Sequence, residues 1–191
     1  DVAARSIYSA IEVAGIETAM EFDEAVNRAE GLLMEFIALA TTGRRLHDVL
    51  ALQVDALSGD RVRREALRIV CAAHLLGSAV SADALPSAMG VASDVVGDAL
   101  ARLAGEHLVI AEGRLWRGLH DLRAEILFEL LHATPPPTDA ATYAAALALI
   151  PPGAQAHAAR RAAVRVARRT AEDAAATTAH PMFRRSREPS T

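Results

Sequence analysis

Apolar residues recur at spacings of three and four along most of this 191-residue chain. That rhythm puts them on one face of a helix, so the fold must be built from helices packed by their apolar stripes. One segment departs from it. Leu108-Val109-Ile110 and Arg114 to Leu119, on either side of a turn at Glu112-Gly113, read as a β-hairpin.

The rhythm divides the chain into parts. Residues 1–59 are helical: Phe22, Ala25, Val26, Ala29, Leu32, Leu33, Phe36, Ile37 and Ala40 predict one apolar face about five turns long. Thr41-Thr42-Gly43 is its stop, with Gly43 left-handed. A second helix turns Leu46, Val49, Leu50, Val54 and Leu57 inward and ends at Ser58-Gly59-Asp60. Residues 60–134 open with an amphipathic helix (Val62, Ala66, Ile69, Val70, Ala73, Leu76) closed by Gly77. Ser81 is placed to cap a short helix through Met89, and Ser93 to cap another through Ala104. The hairpin and a helix from Leu122 to His132 follow, which makes a winged helix-turn-helix with a two-stranded wing. Residues 135–176 begin at Pro135-Pro136-Pro137, a hard break. They hold a helix over Asp139 to Ile150 and a long Ala/Arg helix from Ala154 to Ala176. Residues 177–191 carry Pro, Ser and Arg without an apolar face and are expected to be disordered.

Charge follows the same divisions. Residues 1–60 carry 4 Arg against 11 acids, or −7; residues 61–134 carry 8 against 9, or −1; residues 135–191 carry 8 against 4, or +4. Every basic residue is arginine. Without lysine there is no Schiff-base chemistry and no phosphate-loop lysine in this chain. Cys71, the single cysteine, lies on an apolar helix with His74 three residues on, and both read as core. No apolar run approaches the roughly 18 residues of a membrane span, and no signal peptide is recognisable. The expected location is cytoplasmic. The first residue is Asp1 rather than methionine, so a piece of something longer is expected.

Chemistry concentrates in Leu115-Trp116-Arg117-Gly118-Leu119-His120-Asp121-Leu122-Arg123. A strand runs straight into a helix, with a histidine at the joint and an aspartate in capping position. A histidine at the positive end of a helix is placed to meet a phosphate. Asp121 as the cap would contribute about 1 kcal/mol. The remaining candidates read as structure. Glu21, Asp23, Glu24, Glu30 and Glu35 make a solvated helix face; Arg44-Arg45 before His47 and Asp48 make a solvated helix start; His107 faces solvent.

A winged helix suggests DNA binding, but the residues disfavour it. The would-be recognition helix, Ser93 to Gly105, has Asp94 and Asp98 against Arg102, with no Asn or Gln to read adenine. DNA repels such a helix. Arg61, Arg63, Arg64 and Arg68 lie on the first helix of the unit, which does not enter the groove. A winged-helix transcriptional regulator is therefore the alternative reading, not the first.

The order of parts resembles the back half of a STAND-class P-loop NTPase module, the AAA+-related switch ATPases of signalling and defence. There a nucleotide domain is followed by a helical lid and a winged helix. Glu30-Gly31-Leu32-Leu33-Met34-Glu35-Phe36 resembles the family's Gly-Leu-Pro-Leu stretch beside the adenine, with Leu33 in the proline's place. Leu119-His120-Asp121 resembles its Met-His-Asp motif, whose histidine contacts the β-phosphate of ADP, with Leu119 replacing methionine. The resemblance covers residues 10–133. It implies His120 and Leu33 as nucleotide contacts, ADP or ATP (with Mg) as cofactor, and an upstream P-loop domain as partner. It also implies a possible homo-oligomer in the active state. The chain has neither a Gly-x-x-x-x-Gly-Lys-Ser/Thr loop nor an apolar strand ending in paired acids. By itself it is therefore expected not to hydrolyse ATP, while the parent protein would be an ATPase. Exchange of ADP for ATP would release the winged helix.

Arg160, Arg161, Arg165, Arg168 and Arg169 fall on one face of the last helix and could meet nucleic acid or an acidic partner. The plainer expectation is a solvated helix packed by its alanines against the acidic first region.

Overall fold

A computed structural model describes residues 2–178. Among them are ten helices and a small antiparallel sheet of three strands, so the chain is mainly helical.

The first three helices enclose a small core of their own. They are α1 (Val2–Val13), α2 (Phe22–Arg28) and α3 (Leu33–Thr42). Tyr8, Phe22 and Phe36 pack ring against ring with centroids 5.4–6.3 Å apart, joined by Ile11, Ala25 and Leu39. The Tyr8 hydroxyl donates to the Met20 carbonyl at 2.8 Å. The single five-turn helix expected from Phe22 to Ala40 is broken. Glu30 and Gly31 have φ of 51° and 82°, a left-handed pair between α2 and α3. Ala25 and Ala29 before the break, and Phe36 and Leu39 after it, still bury in one cluster. Leu32 and Leu33, expected on the same face, are exposed at the break, but the period resumes after it, so periodicity alone did not reveal the break.

Gly43 ends α3 in the left-handed conformation, as expected, with its N–H on the Leu39 carbonyl. Glu35 corrects the sequence reading. It does not lie on a solvated face but is buried, and it accepts the Leu46 N–H at 2.9 Å. It thereby caps α4 (Leu46–Ala56) from a neighbouring helix.

The second core is organised by α5 (Arg61–Leu75), whose residues from Ala66 to Leu75 are all buried. Asp60 caps it by accepting the Arg63 N–H at 2.9 Å. Leu46, Leu50, Val54 and Leu57 of the α4 region join this core, so packing runs across residue 59. Beyond α5 come β1 (Val80–Ser81), α6 (Leu85–Met89), α7 (Ser93–Gly105), β2 (Val109–Glu112), β3 (Leu115–Gly118) and α8 (Asp121–His132). The expected two-stranded hairpin gains a third strand: the order is β1-β3-β2, with Val80 opposite Trp116 and Val109 opposite Gly118. Neither serine caps a helix. Ser81 is in β1, where its Oγ accepts the Asp83 N–H at 3.3 Å. Ser93 is the first residue of α7, one place past the cap position at Ala92.

After the prolines, α9 (Asp139–Leu149) and α10 (Pro152–Thr178) complete the described chain. Thr138 caps α9 through the Ala141 N–H. Helix α10 starts two residues before the expected Ala154, because proline suits the first position of a helix. Ala158 and Ala162 bury in the second core, their small side chains letting α10 approach closely. Helix α10 runs through Thr178, two residues into the stretch expected to be disordered, and the rest of that expectation, for 179–191, lies outside the described residues. No described helix is long and apolar enough to cross a membrane.

Candidate functional site

The junction of β3 with α8 brings His74, Arg117, His120 and Asp121 together. Strand β3 ends at Gly118, the chain bends at Leu119, and His120 is extended, with φ and ψ of −157° and 143°. The cap of α8 is His120 itself: its Nδ1 accepts the Leu122 N–H at 3.2 Å. This corrects the assignment of the cap to Asp121. An imidazole that accepts at Nδ1 carries its proton on Nε2 when neutral. The exposed ring therefore offers an Nε2–H donor beside a helix N-terminus.

Asp121 turns instead toward α5. Its Oδ1 lies 2.8 Å from Nε2 of His74, which is buried. The contact becomes an ion pair only when the His74 ring is protonated. Burial pushes the His74 pKa below 6.5; nearby Arg117 and His120 push the same way, and Asp121 opposes them. The ring packs on Gly118, where an added Cβ would sit 3.1 Å from His74 Cγ and 3.2 Å from Ala124 Cβ. Glycine at the strand end is what lets a histidine of α5 reach the first residue of α8. Arg117 is tied across the hairpin to Glu112, its Nε donating at 2.7 Å.

Sequence reasoning placed His74 in the core but gave no sign of its meeting with Asp121, since the two belong to separate helices. The expectation for Cys71 is met: the thiol is fully buried, its pKa pushed up to about 12 by burial, so it is not nucleophilic.

Leu33, the other expected nucleotide contact, is half exposed at the start of α3. With Val26, Ala29, Leu32 and Phe36 it lines an apolar groove of about 210 Å³. None of that groove's lining residues comes from the His120 joint.

The arginine stripe of α10 is divided. Arg165 meets Glu125 of α8 at 3.3 Å, Arg169 meets Asp139 of α9 at 3.8 Å, and Arg168 meets Glu172 within α10 at 2.7 Å. Arg161 lies against Gly77 at the end of α5, and Arg160 is exposed. The paired acids come from α8, α9 and α10 rather than from the acidic first region. No cluster of three metal-ligating side chains occurs among the described residues.

No family model, curated protein or solved structure matches this chain.

Proposed function

We propose that this chain is the regulatory lid and winged-helix portion of a STAND-type switch ATPase. Under this reading α5, β1, α6, α7, β2, β3 and α8 form the winged helix, and α1 to α4 form the lid. The observation that carries the reading is the state of His120. Its Nδ1 is engaged by the Leu122 N–H and its ring is exposed, so Nε2–H is free to donate to a phosphate oxygen held by an upstream domain. That contact would exist with ADP and weaken on exchange for ATP, which biases the equilibrium between closed and open modules. The cation-poor N-terminal half of α7 supports this reading over DNA binding. Asp94, Val95 and Asp98 are exposed there, and a phosphate backbone would be repelled.

The test is made on the protein that includes the sequence preceding Asp1. His120→Ala should lower its retention of ADP after desalting and raise its basal activity. Unchanged retention counts against the reading. Salt-sensitive duplex binding by the 191-residue chain at physiological salt would favour the DNA-binding alternative.

A further inference from the structure

Helix α5 opens against its own dipole. Its first turn has no acid and carries Arg61, Arg63 and Arg64, though cations are unfavourable at a helix N-terminus. Arg63 is compensated, with Nε 2.8 Å from Asp60 and Nη1 2.8 Å from Glu106. Arg61 and Arg64 form no ion pair among the described residues. One turn on, Arg68 is only 8% exposed, so its guanidinium is buried while charged. Glu65 pairs with its Nη1, but its Nε is buried without a partner. Burial disfavours the charge on Arg68, Glu65 favours it, and the neighbouring Arg64 adds repulsion, so one glutamate faces three arginines here.

These residues share a cleft. Arg61, Arg64, Glu65 and Arg68 line it from α5, Ser58 from the preceding turn, and Pro136 and Pro137 from the segment between α8 and α9. Its volume is about 520 Å³, within the roughly 300–1,000 Å³ usual for small-molecule sites. Three arginines against one glutamate leave the lining at +2, matched to a phosphate dianion. Pro136 and Pro137 supply apolar surface to the same lining.

We propose that this cleft binds a small phosphate ester. The phosphate sits among Arg61, Arg64 and Arg68 at the start of α5, with the Ser58 hydroxyl as a further donor. The organic part lies on Pro136 and Pro137. The buried Arg68 beside the more exposed Arg61 and Arg64 suits a small ligand that reaches in better than the convex backbone of a duplex. The cleft is separate from the His120 joint, so the assignment stands whether or not the switch reading does.

The test is titration of the 191-residue chain with phenyl phosphate and with inorganic phosphate, by calorimetry and ³¹P NMR. The expected result is saturable binding of phenyl phosphate, tighter than that of inorganic phosphate. Arg64→Gln, confirmed folded by circular dichroism, should weaken it about tenfold, as loss of one charge-assisted contact does. Arg160→Gln on α10 should bind as the unaltered chain does. Absence of saturable binding, or equal binding by Arg64→Gln and the unaltered chain, overturns the proposal. Equal affinity for the two probes overturns the ester assignment. Duplex DNA binding that depends on Arg64, with no binding of phenyl phosphate, overturns it in favour of nucleic acid.

Discussion

Asp121, the first residue of α8, holds its carboxylate 2.8 Å from Nε2 of His74 on α5. The aspartate is exposed and the histidine buried, so the pair connects the surface of the β3–α8 joint to the core helix beneath it. His120 beside it faces outward and caps α8. Adjacent residues thus face different ways: Asp121 meets the core helix, and His120 caps α8 at the surface.

The anchor depends on Gly118. In Gly118→Ala the new methyl would meet His74 Cγ at 3.1 Å and Ala124 Cβ at 3.2 Å. Overpacking of this kind costs about 1–3 kcal/mol. Urea unfolding should show that loss, and His74→Ala in the same chain should recover part of it. A stability equal to the unaltered chain would mean that the joint is loosely packed.

Acid should loosen the second core. Burial holds both His74 and His132 below 6.5 in the folded chain. The unfolded chain then binds more protons, so their contribution to stability is present above 6.5 and is lost as pH falls through the folded values. Asp60, held below 3.8 chiefly by the Arg63 N–H, acts in a lower window. The urea midpoint should fall between neutral pH and about 5. His74→Gln should make that fall shallower; a midpoint independent of pH across this range would contradict the assignment.

The link between α8 and α9 is a buried polar pair. His132 Nε2 lies 2.7 Å from the Thr142 Oγ1, and its Nδ1 lies 2.7 Å from the Phe128 carbonyl oxygen. Phe128 in turn stacks on Tyr143 at 4.8 Å. Thr142→Val keeps the shape and removes the hydroxyl, leaving a buried ring nitrogen unpaired at a cost of about 1–3 kcal/mol. Thermal unfolding should report the loss, and an unchanged midpoint would indicate that water takes the hydroxyl's place.

Glu35 should matter more than the exposed arginine that pairs with it. Glu35→Ala removes the cap on the Leu46 N–H, which is worth about 0.5–2 kcal/mol. Arg45, half exposed and 3.5 Å from Glu35, should cost under about 1 kcal/mol as Ala. Equal effects in chemical denaturation would mean that the ion pair, not the cap, holds α3 to α4.

The helices were legible where one stripe buries along one axis. Leu46, Leu50, Val54 and Leu57 lie inward as their spacing predicts. Features set by contacts between elements were not legible. Strand β1 has two residues, too few to show an alternation, and owes its existence to pairing with Leu115 and Trp116. Glu35 looked like one more surface acid because its partner lies in the next helix. At the joint, the short polar side chain of Asp121 suggested the cap, but His120 already has the extended backbone a cap requires. Once His120 takes the Leu122 N–H, the aspartate is free to reach His74. The sequence therefore located the joint, while the division of roles within it needed the packing of α5 against β3.

The most direct test of the account compares ADP retained by the unaltered protein and by His120→Ala, each carrying the proposed upstream P-loop domain. Loss of one phosphate contact predicts about a tenfold or greater rise in the dissociation constant for ADP, with the affinity for ATP little changed. Equal ADP affinity in the two proteins would contradict it.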